Sequence, residues 1–366
     1  MKRYLFGSLI LPRGALLLAL ILVLSGCTVL EPGVPDDSGY ITLMTWNVHN
    51  LFDGVDNGYE YDEFLQSAGW STEKYLGRIN SMAAAIGRLT PVPDIILFQE
   101  IESHQILEDF ATALSQDYAW SHFANNPNAA VGLGILSRFP LMESRTHSIA
   151  INGDVTPRPV LETRILTEGG SFVIFTCHWK SKIGGDDETE DVRKASARVI
   201  LRRIRELWET EPDTGLIVAG DLNENHDEFY RRGSNIVCAL LPDDPYSAIL
   251  SNVKSTGQKD FIVVSGNKPP VSSHFPQGTI SLFSPWVREL DNGSYFYRYN
   301  WETIDNILLS HHFFNGSGWN YERAYVANFE PFANSNGIPV PYNPKTGLGF
   351  SDHLPLLIYL KFLSSE

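Results

Sequence analysis

The sequence predicts one large α/β domain, and three features of the chain support that fold class. Apolar segments of strand length recur from Ile41 to Phe362, and segments with helical spacing of apolar residues lie between them. Apolar residues make up 43% of the 366 residues and aromatic residues 12%, which is enough for a large core. No Pro/Ser-rich linker separates the strand-like segments, although the length alone favours two domains.

Strand-like and helix-like segments alternate along the chain. Periodic apolar residues predict helices over residues 73–89, 103–114 and 192–207. Strands are expected at residues 40–46, 94–100, 131–136, 163–165, 172–177, 216–223, 295–299, 301–310 and 356–362. The third helix lies between two of these strands, which predicts a local parallel crossover. Residues 224–292 are irregular, and we expect substrate-specific loops there.

The N-terminal segment has the features of a bacterial secretion signal. Lys2 and Arg3 precede an apolar run, Ala15–Leu24, that is too short for a comfortable membrane span. The run leads into Ser-Gly-Cys27, an ending that resembles a bacterial lipobox, in which the cysteine is lipidated. A plain secretory signal with an incidental cysteine is the alternative.

This interpretation divides the chain into three parts. They are a lipoprotein signal peptide at residues 1–26, a flexible tether at 27–39 and a domain at 40–363. A lipid on Cys27 would anchor the domain to a membrane of the bacterial cell envelope, outside the cytoplasm. We expect the domain to be a monomer.

The mature chain is strongly acidic. Removal of residues 1–26 takes away three basic residues and no acidic residue, so the formal net charge of −15 becomes −18. Such a surface supplies few of the cationic side chains that bind nucleic acid tightly by releasing counterions. The charge argues against tight or sequence-specific binding of nucleic acid, and a polyanionic substrate would need divalent cations to approach.

The candidate site begins with the segment Leu216–Asn223. Its apolar residues predict a buried strand, and Gly220 then releases the chain into a polar tip. Asp221 and Asn223 are two residues apart, so they face the same side of an extended chain. The same residue types also form ordinary turns. The motif indicates a functional site only because other strand ends carry polar residues as well.

Other predicted strands also carry residues that bind metals or phosphate. Glu100 lies just behind four apolar residues and Asp305 lies inside an apolar run, where a carboxylate is costly to bury unless it is paired or holds a metal. Asn47 offers an amide that ligates a cation, orients a carboxylate or forms a turn. His178 and Lys180 share one side of a strand end, which suits an anionic oxygen.

Two further positions complete the candidate set. Asp352 and His353 are adjacent, so they share one pocket only if the backbone turns between them. Arg193 belongs to a basic helix face and lies nearest to His178 in the first turn, so we expect it alone of that face to reach substrate. Most such faces are simply solvated.

The residue types of this set favour one kind of chemistry. Oxygen ligands with two imidazoles and no thiolate cluster suit Mg²⁺, Mn²⁺ or Ca²⁺ rather than a structural zinc site. The sequence has neither a G-x-S-x-G elbow nor a Walker loop. A metal-assisted hydrolase of phosphate esters fits best, with one or two ions and any of these acids as ligand.

The ordered motifs resemble the endonuclease/exonuclease/phosphatase superfamily. The motifs are TWNVHNLFD with Asn47, DIILFQE with Glu100, TCHWKSK with His178, GDLNE with Asp221 and Asn223, ETIDNILLS with Asp305, and SDHLP with Asp352 and His353. Together they span nearly the whole mature chain. The resemblance implies a DNase I-like fold, a four-layer α/β sandwich in which two mixed β-sheets pack face to face with helices on the outer faces.

The resemblance also implies a metal-binding group and a base. Glu100 would be the principal metal ligand, with Asn47 and Asp352 nearby. His353, oriented by Asp305, would act as a general base or as an acid that stabilises the phosphate.

The remaining candidates would act on the water and the phosphate. Asp221 would orient or deprotonate the attacking water, while Asn223 and His178 would hold the phosphoryl oxygens. Lys180 and Arg193 would contact the substrate.

Two classes of function follow. The first is a divalent-metal-dependent phosphodiesterase, with nucleic acid as the first expected substrate and phospholipid or sphingomyelin cleavage, or phosphatase action, as the alternative. HWKSK followed by an acidic loop is similar to secreted bacterial nucleases, whereas GDLNEN lacks the aromatic-Arg continuation of inositol 5-phosphatases. The second class is a catalytically idle lipoprotein that keeps the fold as a binding module.

Overall fold

The structure is a computed structural model that describes residues 39–114, 118–234, 236–244, 251, 253, 259–270 and 275–364. The expected signal peptide, Cys27 and the tether before Gly39 lie outside the described residues. In the part of the chain that is described, none of the helices is both long enough and apolar enough to span a bilayer.

The described chain forms eighteen strands and four α-helices. The strands are β1 Tyr40–Leu51, β2 Ile95–Ile101, β3 Trp120–Ala124, β4 Gly132–Ser137, β5 Leu141–His147, β6 Ala150–Ile151, β7 Asp154–Val155, β8 Val160–Thr167, β9 Gly170–His178, β10 Gly215–Asp221, β11 Leu240–Pro242, β12 Ile262–Ser265, β13 Ser281–Phe283, β14 Tyr295–Tyr297, β15 Asn300–Glu302, β16 Asp305–Leu309, β17 Gly318–Val326 and β18 Leu356–Leu363. The helices are α1 Thr72–Ile86, α2 His104–Leu114, α3 Asp186–Thr210 and α4 Glu228–Arg231.

Most strands belong to two mixed sheets. The first has the order β17-β18-β1-β2-β4-β3, and the second has the order β11-β12-β13-β16-β10-β9-β8-β5. Strands β9 and β10 pair in parallel and α3 connects them, so the predicted parallel crossover is confirmed. Strands β1 and β2 form a second parallel pair in the other sheet.

Alternation along the strands produces four layers. In β1, Ile41 and Leu43 face the second sheet, whereas Met44 and Trp46 face the outer layer formed by α1 and α2. The opposite face of the second sheet packs against α3 through residues such as Ile200. The predicted four-layer α/β sandwich of two mixed sheets is therefore confirmed.

The strands that the sequence analysis missed have mostly polar, half-exposed sequences. Strands β3, β5 and β17 lie at sheet edges, and only scattered residues of them are fully buried. Edge strands need no long apolar run, which explains why the pattern gave no signal. The irregular region 224–292 contributes the short strands β11, β12 and β13, and the run predicted at 295–299 is one arm of a hairpin.

The topology brings several strand ends to one edge of the molecule. The parallel pairs β1/β2 and β9/β10 end there, and β16, antiparallel to β10, begins there. Side chains that follow these strands therefore meet between the two sheets.

Gly220 allows the closest approach at this edge. It pairs with Cys177 of β9 at a φ of +133°, and a Cβ at this position would lie 2.0 Å from the Cys177 carbonyl oxygen. Only glycine, which has no Cβ, avoids this collision at the position in β10 that precedes Asp221.

Replacement of Gly220 by alanine is expected to destabilise the domain by at least about 2 kcal/mol, because the backbones of β9 and β10 must move apart. Denaturant unfolding measures the effect. Gly153→Ala is the matched control, since Gly153 has a φ of +95° with open space around it, and it should lose only about 1 kcal/mol. Equal losses in the two variants would contradict the steric explanation.

A buried ion pair fastens α3 to the second sheet. The Glu162 carboxylate in β8 accepts hydrogen bonds from Arg203 Nε at 2.8 Å and Nη2 at 3.0 Å, and it lies 2.7 Å from His147 Nε2. Burial raises the pKa of Glu162, but the hydrogen bonds from Arg203 and His147 outweigh burial and lower this pKa to about 2. The folded state therefore favours the carboxylate form.

Because the pKa of Glu162 falls from 4.5 to about 2 on folding, its stabilisation is present above pH 5 and disappears as the pH drops towards 2. At pH 7 we expect Glu162→Gln to unfold more easily than the parent protein by on the order of 2 kcal/mol, and near pH 2 the difference should vanish. The exposed Glu143→Gln is the control. A difference that is independent of pH would refute this account.

Candidate active site

A bulge in β2 turns Glu100 towards the shared edge. The register of β2 with both neighbouring strands shifts between Gln99 and Ile101, and Glu100 has a φ of +63°. Glu100 Oε2 accepts a hydrogen bond from the Asn50 backbone nitrogen at 2.9 Å. A bulge re-aims a side chain out of the regular alternation, and here it sends a carboxylate into a cleft.

Asn47 joins carboxylates from the two sheets. Its Nδ2 donates to Glu100 Oε1 at 3.1 Å and to Asp221 Oδ2 at 3.0 Å, and its Oδ1 accepts from the His49 backbone nitrogen at 3.0 Å. The residue is buried, and its nitrogen rather than its oxygen faces the carboxylates. Asn47 thus orients the two acids, whereas the resemblance implied a place near the metal.

A buried arginine holds the end of β1 in place. Arg78 of α1 donates to the carbonyl oxygens of His49 at 2.8 Å, Asn50 at 2.9 Å and Phe350 at 3.2 Å. Burial lowers the pKa of Arg78 to about 9. The side chain connects the end of β1 to the loop that contains Asp352, and the sequence analysis counted it only as part of a helix.

Asp221 lies at the centre of the cluster. It is the register partner of His178 on one side and of Asp305 on the other. Burial raises the pKa of Asp221 to about 7, and the charge of Asp305 adds to this effect while His353 opposes it. Near neutral pH both the protonated and the ionised form of this carboxyl group are therefore populated.

His353 is held by Asp305. The His353 Nδ1 lies 2.8 Å from Asp305 Oδ2, and Ser294 Oγ donates to the same oxygen at 2.6 Å. Burial alone would lower the pKa of His353, but the charge and the hydrogen bond of Asp305 raise it well above its ordinary value. These contacts favour the imidazolium form of His353, whose Nε2 lies 3.9 Å from both Asp221 Oδ2 and Asp352 Oδ1.

The backbone turns at Asp352 and His353, as the hypothesis of a shared pocket required. Both residues line the same cleft, although they are adjacent in sequence. Ser351 Oγ supports the turn by donating to the Asn47 carbonyl oxygen at 2.7 Å and accepting from the His353 backbone nitrogen at 3.0 Å.

His178 has the opposite protonation state. Its Nε2 lies 3.5 Å from Asp221 Oδ2 and 3.6 Å from Glu100 Oε1. Burial lowers the pKa of His178 well below its ordinary value, and the charges of Arg158 and His353 lower it further. The site thus contains one neutral imidazole and one imidazolium.

Asn223 lies on the wall of the cleft with a φ of +50°. Its backbone nitrogen donates to Asp221 Oδ1 at 2.9 Å, and its Nδ2 donates to the Trp179 carbonyl oxygen at 3.1 Å. The residue therefore fixes Asp221 as well as facing the cleft.

The cations expected to contact the substrate are not the ones that line the cleft. Arg193 has no exposed surface, since its guanidinium pairs with Glu190 Oε2 at 2.8 Å and Glu224 Oε2 at 3.1 Å. Lys180 does not line the cleft, because its Nζ is held by Ser181 Oγ at 3.4 Å and by the Ile183 carbonyl oxygen at 3.2 Å. The expectation for Arg193 was wrong because the helix turns it inward onto buried acids.

Three other basic residues line the cleft: Arg158, Lys182 and Arg298. Arg158 precedes β8, whose antiparallel pairing with β9 places the start of β8 beside His178. That pairing, which no local sequence pattern records, brings Arg158 to the cleft. No signal in the sequence pointed to Arg298, which lies in a hairpin turn.

The donor set fits a hard divalent cation. The carboxylates of Glu100, Asp221 and Asp352 line one cleft, and Asp221, Asp305 and His353 bring ligand atoms within 4.8 Å of one another. The raised pKa of Asp221 shows that the buried negative charge is incompletely compensated by the protein. Carboxylate oxygens around uncompensated charge are what Mg²⁺ and related ions require.

Comparisons with known proteins agree with this geometry. Residues 42–234, more than half of the chain, match the model of the Endonuclease/Exonuclease/phosphatase family. No curated protein matches the chain in sequence. Truncated TDP2 from Caenorhabditis elegans shares the fold, with a TM-score of 0.50 and 13% identity over 88% of this chain and 97% of that chain.

Two further solved structures are similar. An endonuclease/exonuclease/phosphatase family protein from Bacteroides thetaiotaomicron has a TM-score of 0.49 and 17% identity over 88% of this chain and 98% of that chain. The human Nocturnin catalytic domain has a TM-score of 0.48 and 19% identity over 88% of this chain and 94% of that chain. The family match shows that this chain belongs to the endonuclease/exonuclease/phosphatase family.

Proposed function

We propose that this protein is a divalent-metal-dependent phosphodiesterase that hydrolyses nucleic acid, as a secreted or surface-anchored endonuclease. The observation that carries the proposal is the arrangement of His353, held by Asp305 at 2.8 Å, opposite Asp221 and Glu100 in one cleft. The family to which the chain belongs acts on phosphoric esters, and an acid-base pair beside a cation site is the equipment for that reaction.

Glu100 and Asp352 are the residues that would hold the ion, because both carboxylates line the cleft and neither is fully buried. Asn47 would keep Glu100 in position. We propose Mg²⁺, with Mn²⁺ or Ca²⁺ as substitutes. When bound, such an ion neutralises charge that builds up on the phosphoryl oxygens.

Asp221 is suited to accept the proton of the attacking water. Its pKa of about 7 leaves a substantial carboxylate fraction at neutral pH, and Asn47 and Asn223 fix its orientation. As the new oxygen–phosphorus bond forms, the water proton passes to Asp221 and the bond to the leaving oxygen breaks.

His353 is suited to donate a proton to the leaving oxygen. The imidazolium keeps Nδ1 on Asp305, so Nε2 is the nitrogen that faces the cleft. From there it donates a hydrogen bond to the phosphate and then a proton to the leaving oxygen. The lowered pKa of His178 favours its neutral form, which donates a hydrogen bond to a phosphoryl oxygen without adding positive charge.

Nucleic acid is favoured as substrate by the cations at the cleft. Arg158 and Arg298 line the acidic cleft of a protein whose overall charge is strongly negative, and Lys182, which pairs with Glu228 at 2.7 Å, lines the same cleft. Local cations of this kind hold phosphates during turnover, while the overall charge keeps binding weak and dependent on salt.

Glu100→Gln and His353→Asn are each expected to lower kcat/KM on plasmid DNA or RNA by at least about 100-fold without unfolding the domain, because each removes a group that acts on the reacting atoms. EDTA should abolish cleavage by the parent protein, and Mg²⁺ should restore it. Gel assays and thermal unfolding measure both properties.

Glu108→Gln and His104→Asn are matched controls, because both residues are exposed on α2. They should cleave like the parent protein. Cleavage of sphingomyelin in place of nucleic acid would replace the proposed substrate. If no phosphate ester were cleaved with any divalent ion, the idle binding module would be favoured instead.

We also propose that the protein is lipid-anchored in the bacterial cell envelope through Cys27, on the sequence features of residues 1–27. Cys27→Ser is expected to move the protein from the membrane fraction to the soluble extracytoplasmic fraction. Metabolic labelling with palmitate should mark the parent protein and not the variant. Labelling of the variant would disprove anchoring at this cysteine.

A further inference from the structure

A two-stranded hairpin forms one wall of the cleft. Its strands β14 and β15 pair across three positions, and its two faces differ. The Phe296 and Trp301 rings contact each other at 5.0 Å with their planes at 60°, and Trp301 packs against the core beneath α1 and α2. Tyr295 and Tyr297 occupy the opposite face and line the cleft. The hairpin is thus anchored by one pair of rings and presents another pair to substrate.

The rings of Tyr295 and Tyr297 form a row that begins at the His353 imidazole. The His353 ring lies 4.7 Å from the Tyr295 ring at an angle of 32°, and the Tyr295 ring lies 6.1 Å from the Tyr297 ring at an angle of 16°. Tyr297 is 48% exposed. Near-parallel planar groups therefore lead from the reacting centre to the solvent.

The turn of the hairpin extends this row of rings. Arg298 and Tyr299 have φ values of 48° and 67°, a left-handed conformation that glycine and asparagine adopt more easily. Tyr299 is 93% exposed, so no burial compensates for its unfavourable backbone conformation. A large ring in this position is explained if it contacts something outside the chain.

The cation of the turn is also available to a ligand. The Arg298 guanidinium carbon lies 5.0 Å from the centre of the Tyr297 ring, and Arg298 forms no ion pair with any carboxylate in the described part of the chain. The Arg298 guanidinium thus lies over the Tyr297 ring as a planar base would, and no ion pair keeps it from turning towards a phosphate and uncovering the ring. Ile183, 83% exposed, adds an apolar contact from another wall of the same cleft.

We propose that Tyr297, Arg298 and Tyr299 form a stacking subsite for unpaired nucleobases next to the scissile phosphodiester, which makes single-stranded nucleic acid the substrate class. The proposal rests on the function proposed above and deepens it. Stacking requires exposed base faces, which a duplex buries between its own base pairs. Tyrosine rings combined with a cation bind single strands with little preference for sequence.

A membrane surface fits this hairpin less well. Its most apolar rings are both half-buried, since Trp301 packs against the core and Phe296 packs against Trp301, whereas the exposed tip presents tyrosine hydroxyls and a guanidinium. Insertion into lipid requires the reverse arrangement, with the apolar rings outward. Sedimentation with lipid vesicles distinguishes a membrane surface from nucleobases as the partner of the hairpin.

The test measures kcat/KM in Mg²⁺ on three substrates: a short single strand, its duplex and an abasic strand of equal length, as DNA and as RNA. The parent protein should prefer the single strand to the duplex by at least about tenfold. In Tyr297→Ala/Tyr299→Ala, the ratio of kcat/KM for the base-bearing strand to that for the abasic strand should fall at least about fivefold, mainly through KM.

Two variants provide controls. Tyr297→Phe keeps the ring and should retain the parent ratio, and Tyr59→Ala removes an exposed tyrosine outside the cleft and should behave like the parent protein. An unchanged ratio in the double variant, or equal cleavage of duplex and single strand, would overturn the stacking subsite while leaving the phosphodiesterase intact.

The remaining outcomes concern the proposed function and the lipid. If the parent protein cleaved none of the three substrates, the proposed function itself would fail, and the subsite with it. Sedimentation with sphingomyelin-phosphatidylcholine vesicles provides the last comparison. Vesicle binding by a soluble domain that begins at residue 39, lost in Tyr297→Ala/Tyr299→Ala, would assign the hairpin to a membrane surface and overturn its assignment to nucleobases.

Discussion

The burial of two carboxylates side by side is the constraint on which the site depends. Asp221 and Asp305 are register partners on the antiparallel strands β10 and β16, and both side chains are almost completely buried. Such a pair is costly unless its charge is compensated. His353 compensates Asp305 directly, whereas Asp221 receives a hydrogen bond from Asn47 and keeps a pKa of about 7. That remaining imbalance suits the site to the proton transfer and the divalent cation that we propose for it.

The two sheets contribute different parts of this arrangement. The first sheet supplies Asn47 and the bulged Glu100, and the second supplies His178 and Asp221. The hydrogen bonds of Asn47 to Glu100 and Asp221 cross between the sheets, so the spacing of the sandwich sets the distance between the proposed cation ligand and the proposed proton acceptor. A change in sheet packing far from the cleft would therefore alter the chemistry.

The hairpin proposed to bind substrate is attached to the same support. Ser294, at the start of the hairpin, donates to Asp305, and the Leu354 backbone nitrogen donates to the Ser294 carbonyl oxygen at 2.7 Å. The hairpin that presents Tyr297 is therefore fixed to the residues that orient His353. The proposed binding subsite and the proposed proton donor therefore share one set of contacts, and the acidic charge of the protein would limit how tightly a polyanion is held.

The sequence by itself determined the fold class, the helices, the central strands and most of the polar strand ends, because apolar periodicity and isolated carboxylates are local signals. Only the tertiary structure decided which side chains meet. The bulge at Glu100, the inward turn of Arg193 and the position of Arg158 depend on strand register and helix packing, which no local pattern records. The same holds for the edge strands and the hairpin turn at Arg298, whose polar sequences look like loops until a neighbouring strand pairs with them.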